Sequence, residues 1–200
     1  TDATGKKFGK SEGNAVWLDA KKTSPFRFYQ FWINLPDEGI ENYLKVYTFL
    51  SLTEIQVLME LHKRKPADRQ AQETLARLVT EIVHGPAATA QAAAATDALF
   101  GDTAFGELSR EALAVALAEA PSVKISKREL GDGSSLAEAL VAGGLAASKS
   151  DARRLMSGKG ITLSGHTITD PDQKVYPGDL RNGYALVRKG KQGVLILVLK

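Results

Sequence analysis

Through the first half of this chain, apolar residues recur three and four positions apart; near its end they gather into short alternating or β-branched blocks. The first spacing predicts helices and the second predicts strands. Ser24 is placed to cap a helix that opens with Pro25, whose fixed φ suits a first helical position. Phe26, Phe28, Tyr29, Phe31 and Trp32 then recur at core spacing until Pro36 and Gly39 interrupt them. Helical spacing resumes over 41–50, from a cap at Ser51 or Thr53 to Lys65, and over 67–83, where Gly85-Pro86 provides a stop. Two more helical stretches follow at 87–100 and 109–118. Six helices in about 100 residues predict an all-α bundle over 23–118.

Residues 119–133 mix Pro, Lys, Gly and Asp without periodicity and are expected to link two domains. Beyond them the pattern changes. Ser134 is expected to cap a short apolar helix closed by Gly143-Gly144. Ser148 opens a second helix, with Ala152, Leu155 and Met156 on one face and Lys149, Arg153 and Arg154 on the other. Gly158 and Gly160 stop it. Strands are predicted at 161–163, 167–168, 184–188 and 194–199, with turns at Gly165-His166 and from Arg188 to Gly193. The expected fold class is therefore α+β and multidomain: a front loop and connector (1–22), the helical bundle (23–118), the linker (119–133) and a small α+β domain (134–200).

Composition adds a division of charge. The 200 residues carry a net charge of only +3. Residues 134–200, however, hold ten basic against five acidic side chains, while the rest is slightly acidic. A small basic domain suggests a polyanionic partner. Ten of the fourteen aromatic residues lie between Phe8 and Phe49, so two cores of different character are expected. The absence of cysteine excludes disulfides and thiolate metal sites. No apolar stretch approaches the length a membrane span requires. The first ten residues lack the apolar stretch of a secretory signal. The chain opens at Thr1 in a Gly- and Lys-containing loop, and is expected to be part of a longer protein.

Lys7-Phe8-Gly9-Lys10-Ser11 is the sharpest local feature. It is not a Walker A loop: Gly5 and Gly9 are one residue too close, and no strand precedes them. Two lysines bracketing Phe-Gly suit a phosphate clamp, because an ammonium is a compact point charge that can follow a moving polyphosphate. A contact that strengthens as pyrophosphate leaves would stabilise the transition state. A solvated lysine-rich loop is the simpler alternative. His62, His84 and His166 show no metal-ligand spacing, and packing is expected for His84. The aromatics at 26–32 are expected to form core.

Lys7–Ser11 resembles the KMSKS signature of class I aminoacyl-tRNA synthetases, in the form typical of bacterial tyrosyl-tRNA synthetases. The likeness continues through Glu12-Gly13-Asn14-Ala15-Val16-Trp17-Leu18-Asp19, Lys22-Thr23-Ser24-Pro25 and Phe28-Tyr29-Gln30-Phe31-Trp32-Ile33-Asn34. It then reaches Tyr43-Leu44-Lys45, Thr48-Phe49-Leu50 and Val83-His84-Gly85. By that resemblance Lys7 and Lys10 would contact ATP phosphates, and Ser11 would order the loop. Asp37 would be the anticodon-contacting acid that hydrogen-bonds a guanine edge.

Residues 134–200 resemble an S4 RNA-binding domain. Lys149, Arg153, Arg154 and Lys159 would face phosphates, and Arg188, Lys189 and Lys191 would add to that surface from a turn. The resemblance implies a helical anticodon-binding bundle joined to an S4-like domain in a cytoplasmic enzyme. Its intact form would use ATP and Mg to attach tyrosine to tRNA-Tyr, and would form a homodimer through a catalytic domain outside this chain. Neither membrane nor DNA is an expected partner, and no cofactor is expected on this portion, which alone would be catalytically inactive. The alternative is a non-enzymatic S4-type RNA-binding protein with a helical interaction domain.

Overall fold

Among the described residues six serines (Ser24, Ser51, Ser109, Ser126, Ser135 and Ser148) cap helix starts, each hydroxyl accepting a backbone N–H of the first turn. The computed structural model describes residues 16–101, 105–190 and 193–200. The lysine loop, with Lys7, Lys10 and Ser11, lies outside the described residues, as does Lys191. The chain divides into two compact units, 1–93 and 94–200.

In the first unit, α1 (Pro25–Ile33) starts where the Ser24 hydroxyl accepts from the Arg27 amide, with Pro25 at the head as expected. Such a cap contributes about 1 kcal/mol. Phe26, Phe28, Tyr29 and Trp32 are buried along one face of α1 and form core, as their spacing predicted. Phe31, expected with them, is only partly buried because it falls at the edge of that face. A turn through Asn34–Glu38 leads to Gly39, whose φ of 83° only glycine adopts readily. Then α2 (Ile40–Tyr47) buries Ile40, Tyr43 and Leu44. A reciprocal capping box between Ser51 and Glu54 starts α3 (Leu52–Arg64), which selects Ser51 over Thr53 as the cap.

A 3-10 turn at Pro66–Asp68 and a left-handed Arg69 delay the next helix to Gln70, three residues later than its apolar spacing suggested. That helix, α4 (Gln70–Phe100), breaks its helical dihedrals at Gly85 (φ 81°, ψ 167°) before Pro86. The expected stop is present, but the chain resumes as helix at once. Inside the first unit Leu75, Ala71 and Ala76 are fully buried, and the imidazole of His84 packs edge-on against Phe28 at 4.9 Å. Burial lowers the pKa of His84, consistent with a packing role.

The second unit begins within α4 and continues through α5 (Arg110–Glu119), capped by Ser109. Residues 119–133 are not a structureless linker. They contain β1 (Ser122–Ile125) and α6 (Lys127–Gly131), the latter held by a Ser126–Glu129 capping box. A two-residue strand β2 (Ser134–Ser135), α7 (Leu136–Ala142) and α8 (Lys149–Ser157) follow. The cap of α7 is Ser135 and not Ser134, which is held in β2 opposite Val175. The remaining strands are β3 (Ile161–Leu163), β4 (His166–Thr167), β5 (Lys174–Val175), β6 (Tyr184–Lys189) and β7 (Gly193–Leu199).

The main sheet runs β1-β7-β6-β3-β4. β1 lies parallel to β7, so that Ser122 pairs with Ile196 and Ile125 with Leu199, and the other neighbours are antiparallel. β2 and β5 form a separate short antiparallel pair. Leu136, Leu140, Ala152 and Met156 from α7 and α8 pack against Ile161, Val187, Leu195 and Leu197 of the sheet. The architecture is α+β: helices in the first unit, helices and a mixed sheet in the second. Among the described residues no helix is long and apolar enough to cross a membrane.

Candidate nucleic-acid interface

Two sets of charged side chains stand out, one in each unit, and they are built differently. In the first unit, the turn between α1 and α2 meets the end of α3 and the start of α4. The guanidinium of Arg69 donates to the carbonyls of Ile33 and Leu35, both at 2.8 Å, and so satisfies acceptors left open where α1 ends. Asp37 lies in this turn with its side chain 55% exposed. Its Oδ1 accepts from the side-chain amide of Gln72 and lies 3.2 Å from Nε2 of His62. The Gln72 hydrogen bond, followed by the charge and hydrogen bond of His62, holds the Asp37 carboxyl below its ordinary pKa. Asp37 therefore presents an anionic acceptor from a turn held on three sides. Neither His62, Gln72 nor Arg69 was singled out as part of a site from sequence. The one available signal was the polar composition of 62–72 next to an apolar helix.

In the second unit, Lys149, Arg153 and Arg154 lie on the exposed side of α8, as the helical pattern predicted. Lys149 and Arg153, four residues apart, share one face, and Arg154 is displaced by about 100° around the axis. Each meets a carboxylate: Lys149 with Glu138 at 2.6 Å, Arg153 with Asp172 at 2.9 Å and Arg154 with Asp151 at 2.7 Å. All three cations are well exposed, so these pairs contribute little and can exchange for a phosphate. Lys159 follows in the turn after α8, exposed and with a left-handed φ of 59°. These four cations thus belong to one helix and the turn that ends it.

Arg188 and Lys189 depart from expectation. Neither is on a turn: both belong to β6, because the strand extends past the apolar run that marked it in sequence. The guanidinium of Arg188 donates to the carbonyls of Ala98 (2.9 Å) and Gly101 (2.7 Å) at the end of α4. A cation there satisfies open carbonyls and complements the helix dipole. Lys189 donates to the carbonyl of Leu145 at 2.8 Å. Both side chains are thus tied to backbone carbonyls of the same unit and do not project from a turn as expected. Among the described residues no group of three or more His, Asp or Glu is arranged to hold a metal.

Comparison with known proteins gives this arrangement its family. The family described as tRNA synthetases class I (W and Y) matches residues 1–101. The chain belongs to the class I tRNA synthetases. A second family, the tyrosine–tRNA ligase SYY-like C-terminal domain, matches residues 112–197 of this synthetase chain. A tyrosine–tRNA ligase of Anaeromyxobacter dehalogenans is 44% identical over 100% of the chain and 48% of its own length. One of Roseiflexus castenholzii is 45% identical over 96% of the chain and 46% of its own. The synthetase chain thus spans about half the length of the curated relatives it matches. A C-terminally truncated mitochondrial tyrosyl-tRNA synthetase of Coccidioides posadasii overlays 46% of this chain and 24% of its own, at 41% identity and a TM-score of 0.41. The resemblance seen in the sequence motifs is borne out, and the comparisons do not favour the non-enzymatic alternative.

Proposed function

We propose that this chain is the tRNA-binding C-terminal portion of a cytoplasmic enzyme that attaches tyrosine to tRNA-Tyr using ATP. The observation that carries the reading is the pair of family matches in chain order, a class I synthetase segment followed by a tyrosine–tRNA ligase C-terminal domain. In the reaction, the tyrosine carboxylate attacks the α-phosphorus of Mg-bound ATP and pyrophosphate leaves. A ribose hydroxyl of the tRNA then attacks the tyrosyl carbonyl and AMP leaves. Lys7 and Lys10 are assigned to the ATP phosphates, with Ser11 ordering their loop. Asp37 is assigned to a guanine of the anticodon. The four cations of α8 and its following turn (Lys149, Arg153, Arg154 and Lys159) are assigned to tRNA phosphates, in an S4-like domain. The homodimer contact is assigned to the portion of the relatives' length that this chain does not span.

The geometry supports a division of labour. Phosphate contacts from exposed cations give affinity that depends on salt but not on sequence, whereas a fixed acceptor aimed at a base edge discriminates. The test is to measure binding of the purified chain to tRNA-Tyr and to an unrelated tRNA across salt concentrations. Preferential binding of tRNA-Tyr with a steep salt dependence is expected. A shallow salt slope would remove α8 as the docking face. Tyrosine-dependent pyrophosphate exchange by these 200 residues alone is expected to be undetectable.

A further inference from the structure

Asp37 is held by one oxygen only. Oδ1 receives Gln72 and His62, and a carboxylate oxygen has room for about two hydrogen bonds. No described residue donates to Oδ2, although the side chain is half exposed. The two groups at Oδ1 are deeply placed: His62 is 3% exposed and Gln72 0%. Each also carries a buried polar atom without a partner, Nδ1 of His62 and Oε1 of Gln72. Were their role only to fill space, apolar side chains would do so without leaving polar atoms unpaired. Arg69, which fixes the start of the same turn, holds a left-handed φ of 52°. A non-glycine residue rarely adopts that conformation, and such strain gathers where surrounding structure holds a functional group in place.

We propose that His62 and Gln72 are positioning residues that saturate Oδ1 of Asp37 and so present Oδ2 alone, as a fixed anionic acceptor, to the N–H edge of a guanine. The proposal rests on the assignment of Asp37 to an anticodon base. Guanine offers two adjacent donors on its Watson–Crick edge, N1–H and the 2-amino group, both within reach of one oxygen. Adenine places the N1 lone pair there instead, which a carboxylate repels. A carboxylate free to rotate would also accept from the 6-amino group of adenine. Locking one oxygen therefore converts a general acceptor into a selective one.

The test uses the 200-residue chain and two tRNA-Tyr transcripts that differ only in guanine or adenine at the first anticodon position, with the ratio of Kd values as the readout. The unaltered chain is expected to prefer guanine by about five- to a hundred-fold, the range of one good base contact. Asp37→Ala abolishes the preference. Gln72→Met and His62→Phe keep volume but remove the donors; each narrows the ratio several-fold, and together they reach the Asp37→Ala level. His62→Gln, whose amide N–H can replace Nε2–H, restores most of it. A purely structural role lowers affinity for both transcripts alike and leaves the ratio intact. That result in the double variant, with Asp37→Ala selective, would overturn the positioning role. An unchanged ratio in Asp37→Ala would overturn the base contact itself and the positioning role with it. If His62→Phe fails to fold by circular dichroism, Gln72→Met and His62→Gln decide the matter alone.

Discussion

The turn at Asp37 and the face of α8 both present charge to solvent, yet they are supported in opposite ways. Asp37 is exposed but tied to two buried donors, and the backbone around it is pinned by Arg69. The cations of α8 are themselves well exposed and pair with carboxylates of which two, Glu138 and Asp172, are exposed as well, so water and salt compete for them. Rigid support fixes where one acceptor atom lies, and that suits discrimination between bases. Loose pairing lets long side chains follow a phosphate backbone, and that suits affinity without selectivity. A single polypeptide thus holds two kinds of polar surface whose difference lies beneath the charged groups, not in them.

The largest perturbation probes whether each surface depends on its own core. Leu140, fully buried under the sheet, is expected to destabilise the second unit by about 2–5 kcal/mol on replacement by alanine. Hydrogen exchange should then show weakened protection in β6 and β7, with α1–α3 retaining theirs. Equal weakening throughout would mean that the two surfaces share one cooperative unit. Next in size, replacing Lys149, Arg153 and Arg154 together by glutamine should weaken tRNA binding by at least about tenfold at low salt. The slope of log affinity against log salt should flatten by about 0.7–0.9 for each phosphate that is no longer neutralised. The guanine-to-adenine ratio should not move. If it does, the proposed separation of affinity from selectivity fails.

A smaller effect is expected at the bend in α4. Alanine at Gly85 meets no neighbouring atom, so the cost is that of its φ of 81° alone, about 1–2 kcal/mol, read from a thermal melt. The smallest effect is a titration. Because Asp37 is held below its ordinary pKa of 3.8, its interactions stabilise the fold above that value and are lost as pH falls through the depressed one. Carboxyl NMR should place its midpoint below 3.8, and Gln72→Met, removing the largest cause, should raise it. An unmoved midpoint would mean that Gln72 does not grip the carboxylate. Base selectivity, which needs the ionised form, should be constant from neutral pH down to about pH 5.

Much of the fold was legible where a local rule operates. Ser24 with Pro25, Ser51 with Glu54, and Gly85 with Pro86 announce helix ends by chemistry confined to a few residues. The aromatic spacing of α1 announces its buried face. The strand β1 was not legible: Ser122–Ile125 is four residues long, with a single buried side chain, and its partner β7 lies about seventy residues away. Arg188 was misplaced for the same reason. Its role depends on the open carbonyls of Ala98 and Gly101, which no pattern near residue 188 discloses. The cations of α8 were identified because one amphipathic helix arranges them. The support of Asp37 was missed because His62, Arg69 and Gln72 come from two other helices and the turn between them.

The amino-acid order by itself determined most of the helices, several of their caps, the basic face of α8 and the family to which the chain belongs. Each depends on chemistry repeated or matched within short stretches. Folding in three dimensions decided which charges are free and which are committed: it closed Arg188 onto a helix end and brought buried donors to one oxygen of Asp37. The reason is that open carbonyls and buried polar groups must find partners, and the nearest candidates in space come from distant parts of the chain.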